Sequence, residues 1–474
     1  DDSALGGSVI QRSLRFNDDD SSYLSFTPSS TGNRKSWTWS SWVKRSNISL
    51  GSQSTIFHSY DGSSNQRTEL TFETNDTLRF QQGTSSDDGI ADTTAKFRDV
   101  NAWYHIVCVA DYSNGTAGNR FKLYVNGTEQ ATTIVDDFTD ANGQMPTSSV
   151  PIEIGGRTSN RFFDGYMTEI NFIDGQVLDP TYFGYTESQT GLWRPKRYEG
   201  TYGTNGFHLD FSDNSSTSTL GIDKSPNGND FTTSNFAVSD SMPDTPTNNF
   251  ATYDVLAEGG GTYSEGNLKV VSTQDSASST IGFASGKFYF EVYVDSNASQ
   301  YIGVIAIDVG LNPARGGGWG SHGAIAYRGN GNQYSLKQGQ SSASTSYGAS
   351  YTAGDIIGCA VDVDNDTITF YKNGVSQGNT TNGVSYISST GTKDKTYGAI
   401  VYCNGGNNIM RANFGQDSTF QGTVSAGGNK DASGIGDFKY AVPSGYNALC
   451  SKNLPPNVPS IIRPQKHFDT ILYT

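Results

Sequence analysis

The chain has 474 residues, a formal net charge of −15, 55 glycines, 12% aromatic residues and only 17% charged residues. That length is too great for one hydrophobic core and fits two or three domains. The negative charge argues against nucleic-acid binding or adhesion to an anionic membrane through bulk electrostatics. Ser, Thr, Asn, Tyr and Phe are dense where a helical protein would carry Ala, Leu, Glu and Lys, so the composition is that of strands and turns. No apolar run nears the ~18 residues of a membrane span.

Residues 1–13 read as an N-terminal arm. Asp1-Asp2-Ser3 carries no methionine and no basic or hydrophobic stretch, so a processed or incomplete start without a signal peptide is expected. Residues 14–188 read as a first β unit. Short strands recur through Leu14-Arg15-Phe16, Trp37-Thr38-Trp39-Ser40-Ser41-Trp42-Val43-Lys44, Trp103-Tyr104-His105-Ile106-Val107 and Phe121-Lys122-Leu123-Tyr124-Val125. The last of these runs into Asn126-Gly127. Alternating apolar residues ending in Asn-Gly predict a two-residue hairpin, because both turn positions need positive φ. The unit closes with Ile152-Glu153-Ile154-Gly155 and Phe163-Asp164-Gly165-Tyr166.

Residues 189–258 read as an irregular connector, rich in Pro, Gly, Asn and Ser but studded with aromatics that plain disorder would lack. Residues 259–420 form a second β unit. Its strands include Lys287-Phe288-Tyr289-Phe290-Glu291, Ile302-Gly303-Val304 and Ile368-Thr369-Phe370-Tyr371-Lys372, and the last again runs into Asn-Gly, at Asn373-Gly374. Residues 421–474 read as a Pro/Gly-rich C-terminal arm with too few apolar residues for a core. Ile471-Leu472-Tyr473-Thr474 looks like an interrupted strand, so the natural chain is expected to continue.

The first unit resembles the laminin-G-like, or concanavalin A-like, jelly roll. The resemblance rests on the Trp42-Val43-Lys44 strand end, Trp103 to Val107, Leu123 to Gly127, and Gly155 followed by Phe163 to Tyr166. The second resembles a SPRY domain. Its marks are Gly286-Lys287 before a Tyr/Phe/Glu strand, Gly354-Asp355 before Ile357-Gly358, the Phe370 to Gly374 hairpin, and Asn413-Phe414-Gly415. Both resemblances imply antiparallel β-sandwiches of the binding type, hence an all-β fold. Gly206 to Phe211, Asn248 to Thr252 and Pro443 to Cys450 add a likeness to tail-fibre and other virion-surface proteins of marine bacteriophages. It implies location on the virion, host attachment, and assembly as a homo-oligomer, with a trimer as first expectation. The implied partners are other virion proteins and a host cell-surface glycan or protein.

The chemistry-bearing residues give no catalytic constellation. Glu69 and Glu73 share a strand face roughly 13 Å apart, outside the 5–9 Å that glycoside hydrolysis uses. Glu153, Glu169 and Glu291 are isolated in their strands, and a pair assembled from two strands is invisible to sequence. His58, His105, His208, His322 and His467 are scattered, so no zinc pair is expected. Asp362, Asp364 and Asp366 imitate the start of a calcium loop, but Thr367 and Asn373 stand where Gly and Glu would be needed. Neither catalytic nor metal residues are assigned, no cofactor is expected, and structural calcium is left without ligands. Cys108 and Cys359 lie in apolar strands and read as buried free thiols. Trp37 and Trp39 read as core. Trp319, Tyr334, Tyr347 and Tyr351 lie in Gly/Ser/Gln-rich sequence and are the candidate binding residues, since exposed aromatics among small polar residues make adaptable contact surfaces.

Three functions fit: a non-enzymatic tail fibre or related appendage that recognises a host glycan or protein, a decoration or collar protein binding other virion proteins, and a sandwich glycanase. The first is preferred, with no enzymatic activity, no nucleic-acid partner and no membrane insertion.

Overall fold

The structure is a computed structural model that describes residues 7–48, 51–60, 67–84, 87–136, 148–157, 160–257, 261–272, 276–296, 299–307, 323–405 and 408–454. Among them the regular structure is β apart from short 3-10 turns, the longest of four residues. Among the described residues no helix is long and apolar enough to cross a membrane.

The first sandwich packs two antiparallel sheets. One runs in the order Thr128–Glu129, Phe121–Val125, Trp103–Asp111, Ser36–Arg45, Gly165–Asp174, Ser13–Phe16 and Ser241–Met242. The other runs Thr132–Asp136, Asp87–Lys96, Thr77–Thr84, Arg67–Phe72, Ser54–Tyr60, Ile152–Ile154, Tyr23–Phe26 and Thr232–Ser234. Period-two alternation sends Trp37 and Trp39 inward, where they meet Phe57 and Phe80 of the facing sheet at centroid distances of 5.7–6.4 Å. Both tryptophans are fully buried, so they belong to the core, as the sequence suggested.

The connector is less irregular than its composition. Phe207–Leu209 pairs with Ile170 to Phe172, Thr232–Ser234 extends one sheet beside Tyr23–Phe26, and Ser241–Met242 extends the other beside Ser13–Phe16. Phe207, Leu209, Leu220 and Phe231 join the first core. Three-residue strands carry no detectable period, which is why their sequence looks like loop.

The second sandwich joins the sheet Thr262–Ser264, Lys269–Ser272, Asn408–Asn413, Lys287–Val294, Ile356–Asp362, Thr367–Lys372 and Val375–Asn379 to a second sheet. That sheet runs Ser276–Ser278, Tyr397–Asn404, Ser299–Ala306, Ala324–Arg328, Asn332–Leu336 and Ala343–Ser346. Residues 421–454 do not extend as an arm. Asn447–Ala448 pairs in parallel with Phe288 and Tyr289, and Phe438, Ala448 and Cys450 are buried against Phe250, Tyr289 and Ala360. Few apolar residues suffice there because an existing sheet supplies the other half of the contact. All four cysteines are buried free thiols.

The same hairpin device closes both sandwiches. Asn126 and Gly127 have φ of 49° and 77°, and Asn373 and Gly374 have 50° and 78°. In each, the Asn side chain accepts from a backbone amide of the neighbouring strand that precedes the hairpin, His105 N in one and Ile356 N in the other, both at 2.8 Å.

The sandwiches do not sit as separate beads. The outward face of the Ser13–Phe16, Ser36–Arg45 and Gly165–Asp174 strands is buried against the connector and the second unit. Arg15, 1% exposed, reaches Asp240 at 2.7 Å, Glu265 at 3.2 Å and Asp417 at 3.6 Å. Tyr166 donates to the Gly266 carbonyl at 2.8 Å, and Asn267 Nδ2 to the Ser46 carbonyl at 2.9 Å.

Candidate functional site

A polar row crosses the outward face of the second sheet in the first sandwich. Cα register places Glu153 opposite His58, His58 opposite Glu69, and Glu69 opposite Gln81, on four neighbouring strands. Alternation explains the arrangement. Ile152, Ile154, Leu70 and Phe80 point into the core, so Glu153, Glu69 and Gln81 point out. A bulge between Thr55 and Phe57 lets Ile56 and Phe57 both face the core.

His58 Nδ1 lies 3.3 Å from Glu153 Oε2, which orients the ring. Its Nε2 is buried and has no hydrogen-bond partner among the described residues. Glu69 Oε1 accepts from Thr55 Oγ1 at 3.3 Å and from Arg161 Nη1 at 3.2 Å, with Arg157 at 3.9 Å. Arg157 also lies 5.6 Å over the Tyr60 ring. His58, Glu69 and Glu153 are nearly buried, while the Arg157 and Arg161 side chains keep 21% and 32% exposure and form the solvent-facing rim. The row therefore offers fixed carboxylate, imidazole and guanidinium groups beside an aromatic ring. Such groups suit hydroxyl-rich ligands. Sequence could name Glu69, Glu153 and His58 only one by one, because 95 residues separate His58 from Glu153 along the chain.

The other candidate carboxylates lie apart. Glu169 accepts from His208 Nε2 at 2.8 Å, and Glu291 lies in the second sandwich. His105 is fully engaged, with Nε2 on Ser40 Oγ and Nδ1 accepting from Trp193, both at 2.9 Å. Burial depresses its pKa to about 3, so the ring stays neutral. The three aspartates of the calcium-like stretch diverge. Asp362 pairs with Lys287 at 2.8 Å, Asp364 accepts from Gly286 N at 3.0 Å, and Asp366 from Ser385 N at 2.7 Å.

Of the four aromatic candidates in the second sandwich, Trp319 lies outside the described residues. Tyr334 is half-buried on the outward face of its sheet, edge-on to Tyr301 at 5.2 Å, with Tyr402 5.5 Å beyond. Tyr347 is half-buried. Its hydroxyl accepts from Phe370 N at 3.1 Å and donates to the Gly378 carbonyl. Tyr351 is only 6% exposed, its hydroxyl placed on the Gln300 and Tyr327 carbonyls at 3.0 and 2.9 Å. The exposure read from its Gly/Ser-rich surroundings is thus corrected. Backbone bonds from Tyr347 and Tyr351 to Gly331 and Gly329 fold the segment back over the sandwich edge. Tyr301 and Tyr402, which sequence did not single out, join Tyr334 because register sets Tyr301 opposite Tyr402 and Ala326 opposite Tyr334.

Residues 18–180 match the concanavalin A-like lectin/glucanases superfamily, and residues 287–417 match the SPRY domain. The chain carries a laminin G-like domain and a SPRY domain. Among curated proteins it is similar to Ran-binding protein 9 of Xenopus tropicalis, at 33% identity over 164 residues that cover 32% of this chain and 28% of that protein. It is also similar to Ran-binding protein 10 of Danio rerio, at 32% identity over 141 residues, 30% of this chain and 21% of that one. The chain thus spans about a quarter of the length of these relatives. A putative carbohydrate binding protein from Bacteroides ovatus is 20% identical, with a TM-score of 0.32, covering 47% of this chain and 58% of that one. The SPRY domain of human HERC1 is 17% identical, with a TM-score of 0.26, covering 34% of this chain and 96% of that one. The lectin-type and SPRY domains point to a role in binding or recognition. The polar row lies in the laminin G-like domain, and the Tyr301–Tyr334–Tyr402 surface in the SPRY domain.

Proposed function

We propose that the chain is a non-catalytic recognition protein of a bacteriophage particle, a tail fibre or related surface appendage, whose laminin G-like domain takes a host-surface glycan. The carrying observation is the Glu153–His58–Glu69 row under Arg157 and Arg161. Its groups are fixed for hydrogen bonding, and each carboxylate is already engaged, Glu153 by His58 and Glu69 by Thr55 and Arg161. His58 occupies the position between the two carboxylates where a scissile glycosidic bond would have to sit. The SPRY domain would hold a protein partner through the aromatic surface around Tyr334. The virion context rests on the likeness of the Gly206 to Phe211 and Pro443 to Cys450 segments to phage surface proteins. The same domains would serve a decoration or collar protein whose partners are other virion proteins.

The test is binding of purified host-surface polysaccharide by calorimetry, with reducing ends assayed in parallel. His58→Ala should weaken binding about tenfold, equivalent to about 1.4 kcal/mol, and no reducing ends should appear. Release of reducing ends that Glu69→Gln or Glu153→Gln abolishes would establish the glycanase reading instead.

We also propose a homo-oligomer, first a trimer, by analogy with fibre proteins. Sedimentation of the full chain should give a mass near three times 50.9 kDa, and a stable monomer would exclude it.

A further inference from the structure

At the junction of the two sandwiches, four buried oxygen atoms accept no hydrogen bond from any of the described residues. Both carboxylate oxygens of Asp164 lack a hydrogen-bond partner, as do Oδ1 of Asn17 and Oδ1 of Asn267. The three side chains are 3%, 5% and 1% exposed. Leaving such acceptors dry and unpaired is costly, and native proteins rarely do so without a ligand or ordered solvent.

Topology brings these residues together. Gly165 pairs with Phe16 on one side and Arg45 on the other. Continuing both registers by one residue sets Asp164 beside Asn17 and Ser46. Asn17 lies two residues beyond Arg15, and Asp164 two before Tyr166, so both share the outward face that Arg15 and Tyr166 occupy. The Ser46 amide donates to the Asp164 carbonyl at 3.0 Å. From the second sandwich, Asn267 reaches the same place and donates Nδ2 to the Ser46 carbonyl at 2.9 Å. Three successive left-handed residues deliver it, Glu265, Gly266 and Asn267, with φ of 59°, 65° and 62°.

Amide flips do not resolve the mismatch. Asn17 Nδ2 is held by Asp20 Oδ2 at 2.8 Å and Asn267 Nδ2 by the Ser46 carbonyl. Flipping either would set an oxygen against an oxygen. The Gly266 amide lies close enough to offset part of the rise in the Asp164 pKa, but leaves both carboxylate oxygens short of a full hydrogen bond. Asp18, Asp19 and Glu265 add negative charge around the carboxylate, which burial and these neighbours push well above the ordinary range. One proton on Asp164 would turn one of the four acceptors into a donor for a second and leave two unmet, whereas a cation held among them would pair with all four and offset the surrounding charge.

We propose that Asp164, Asn17 and Asn267 bind one calcium ion that locks the laminin G-like domain to the SPRY domain. Carboxylate and amide oxygens in an irregular, all-oxygen setting suit Ca²⁺ better than the strictly octahedral, water-retaining Mg²⁺. Among the described residues no three His, Cys, Asp or Glu side chains converge as a metal group. This site is of another kind, one carboxylate with amide oxygens from both domains.

The experiment is calorimetric titration of the chelator-treated full chain with CaCl2, alongside melting curves with and without CaCl2. One equivalent should bind and raise the melting midpoint. Asp164→Asn should weaken binding at least tenfold and Asn267→Ala several-fold, with native far-UV circular dichroism. If Asp164→Asn does not fold, the wild-type titration and Asn267→Ala carry the test. Absence of binding by the wild-type chain would overturn the proposal, as would binding that both variants retain in full. A midpoint indifferent to CaCl2 that rises on acidification would show that a proton fills the site instead.

Discussion

Replacing Asp244 by Ala should destabilise the protein by about 3–5 kcal/mol, the cost of leaving a buried charge without its partner. The charge is Lys44, 1% exposed, whose ammonium donates to Asp244 Oδ2 at 2.9 Å, Asn249 Oδ1 at 2.7 Å and the Phe250 carbonyl at 3.1 Å. Asp244 itself is fully buried and also accepts from Trp103 Nε1 at 3.2 Å. The pair therefore pins the end of the connector to the outward face of the first sandwich, where the second sandwich begins. After the substitution the ammonium keeps two neutral acceptors, which do not replace a carboxylate in a site closed to water. Urea unfolding followed by tryptophan fluorescence measures the loss, and a shift under 1 kcal/mol would show that water reaches Lys44. The combined Lys44→Met, Asp244→Leu variant should recover most of the stability, because removing both charges also removes their desolvation cost.

What sequence disclosed and what it hid follow one physical division. The Asn126-Gly127 and Asn373-Gly374 hairpins were legible because the turn chemistry is local, and Trp37 and Trp39 because alternation along one strand fixes a face. Features set by pairing between distant strands were not. Phe207–Leu209 is too short to show a period and becomes a strand only because Ile170 to Phe172 offers a free edge. The His58–Glu153 contact and the meeting of Asp164 with Asn267 depend on register and on domain docking, which no local pattern encodes. Tyr351 misled for the same reason. Its neighbours are those of an exposed loop, yet its hydroxyl is fixed by carbonyls 51 and 24 residues away.

Glu291 should make the second sandwich lose stability as pH rises, the reverse of an ordinary paired carboxylate. It is fully buried, and burial raises its pKa from 4.5 to about 7. Hydrogen bonds oppose the shift without cancelling it. They come from the amides of Lys439 at 2.8 Å and Tyr440 at 2.9 Å, and from Tyr289 Oη and Asn413 Nδ2, both at 3.2 Å. Between pH 4.5 and about 7 the folded chain keeps the proton that the unfolded chain has released. Stability is then fully present below pH 4.5 and falls until the folded carboxyl ionises, by about 3 kcal/mol at 1.36 kcal/mol per pKa unit. Glu291→Gln keeps the shape, loses the titration, and replaces one acceptor with an amide group that faces donors. The variant should therefore start less stable by about 1–3 kcal/mol at pH 4.5, and the gap should close as pH approaches 7 because only the wild-type chain declines. Urea midpoints of the two chains at half-unit steps from pH 4 to 8 make the comparison, and every other titrating group cancels in the difference. Parallel curves would mean that the four donors hold Glu291 ionised throughout. The tail is coupled to that titration, since the Lys439 and Tyr440 amides that fix it to the SPRY domain both end on this one carboxyl group.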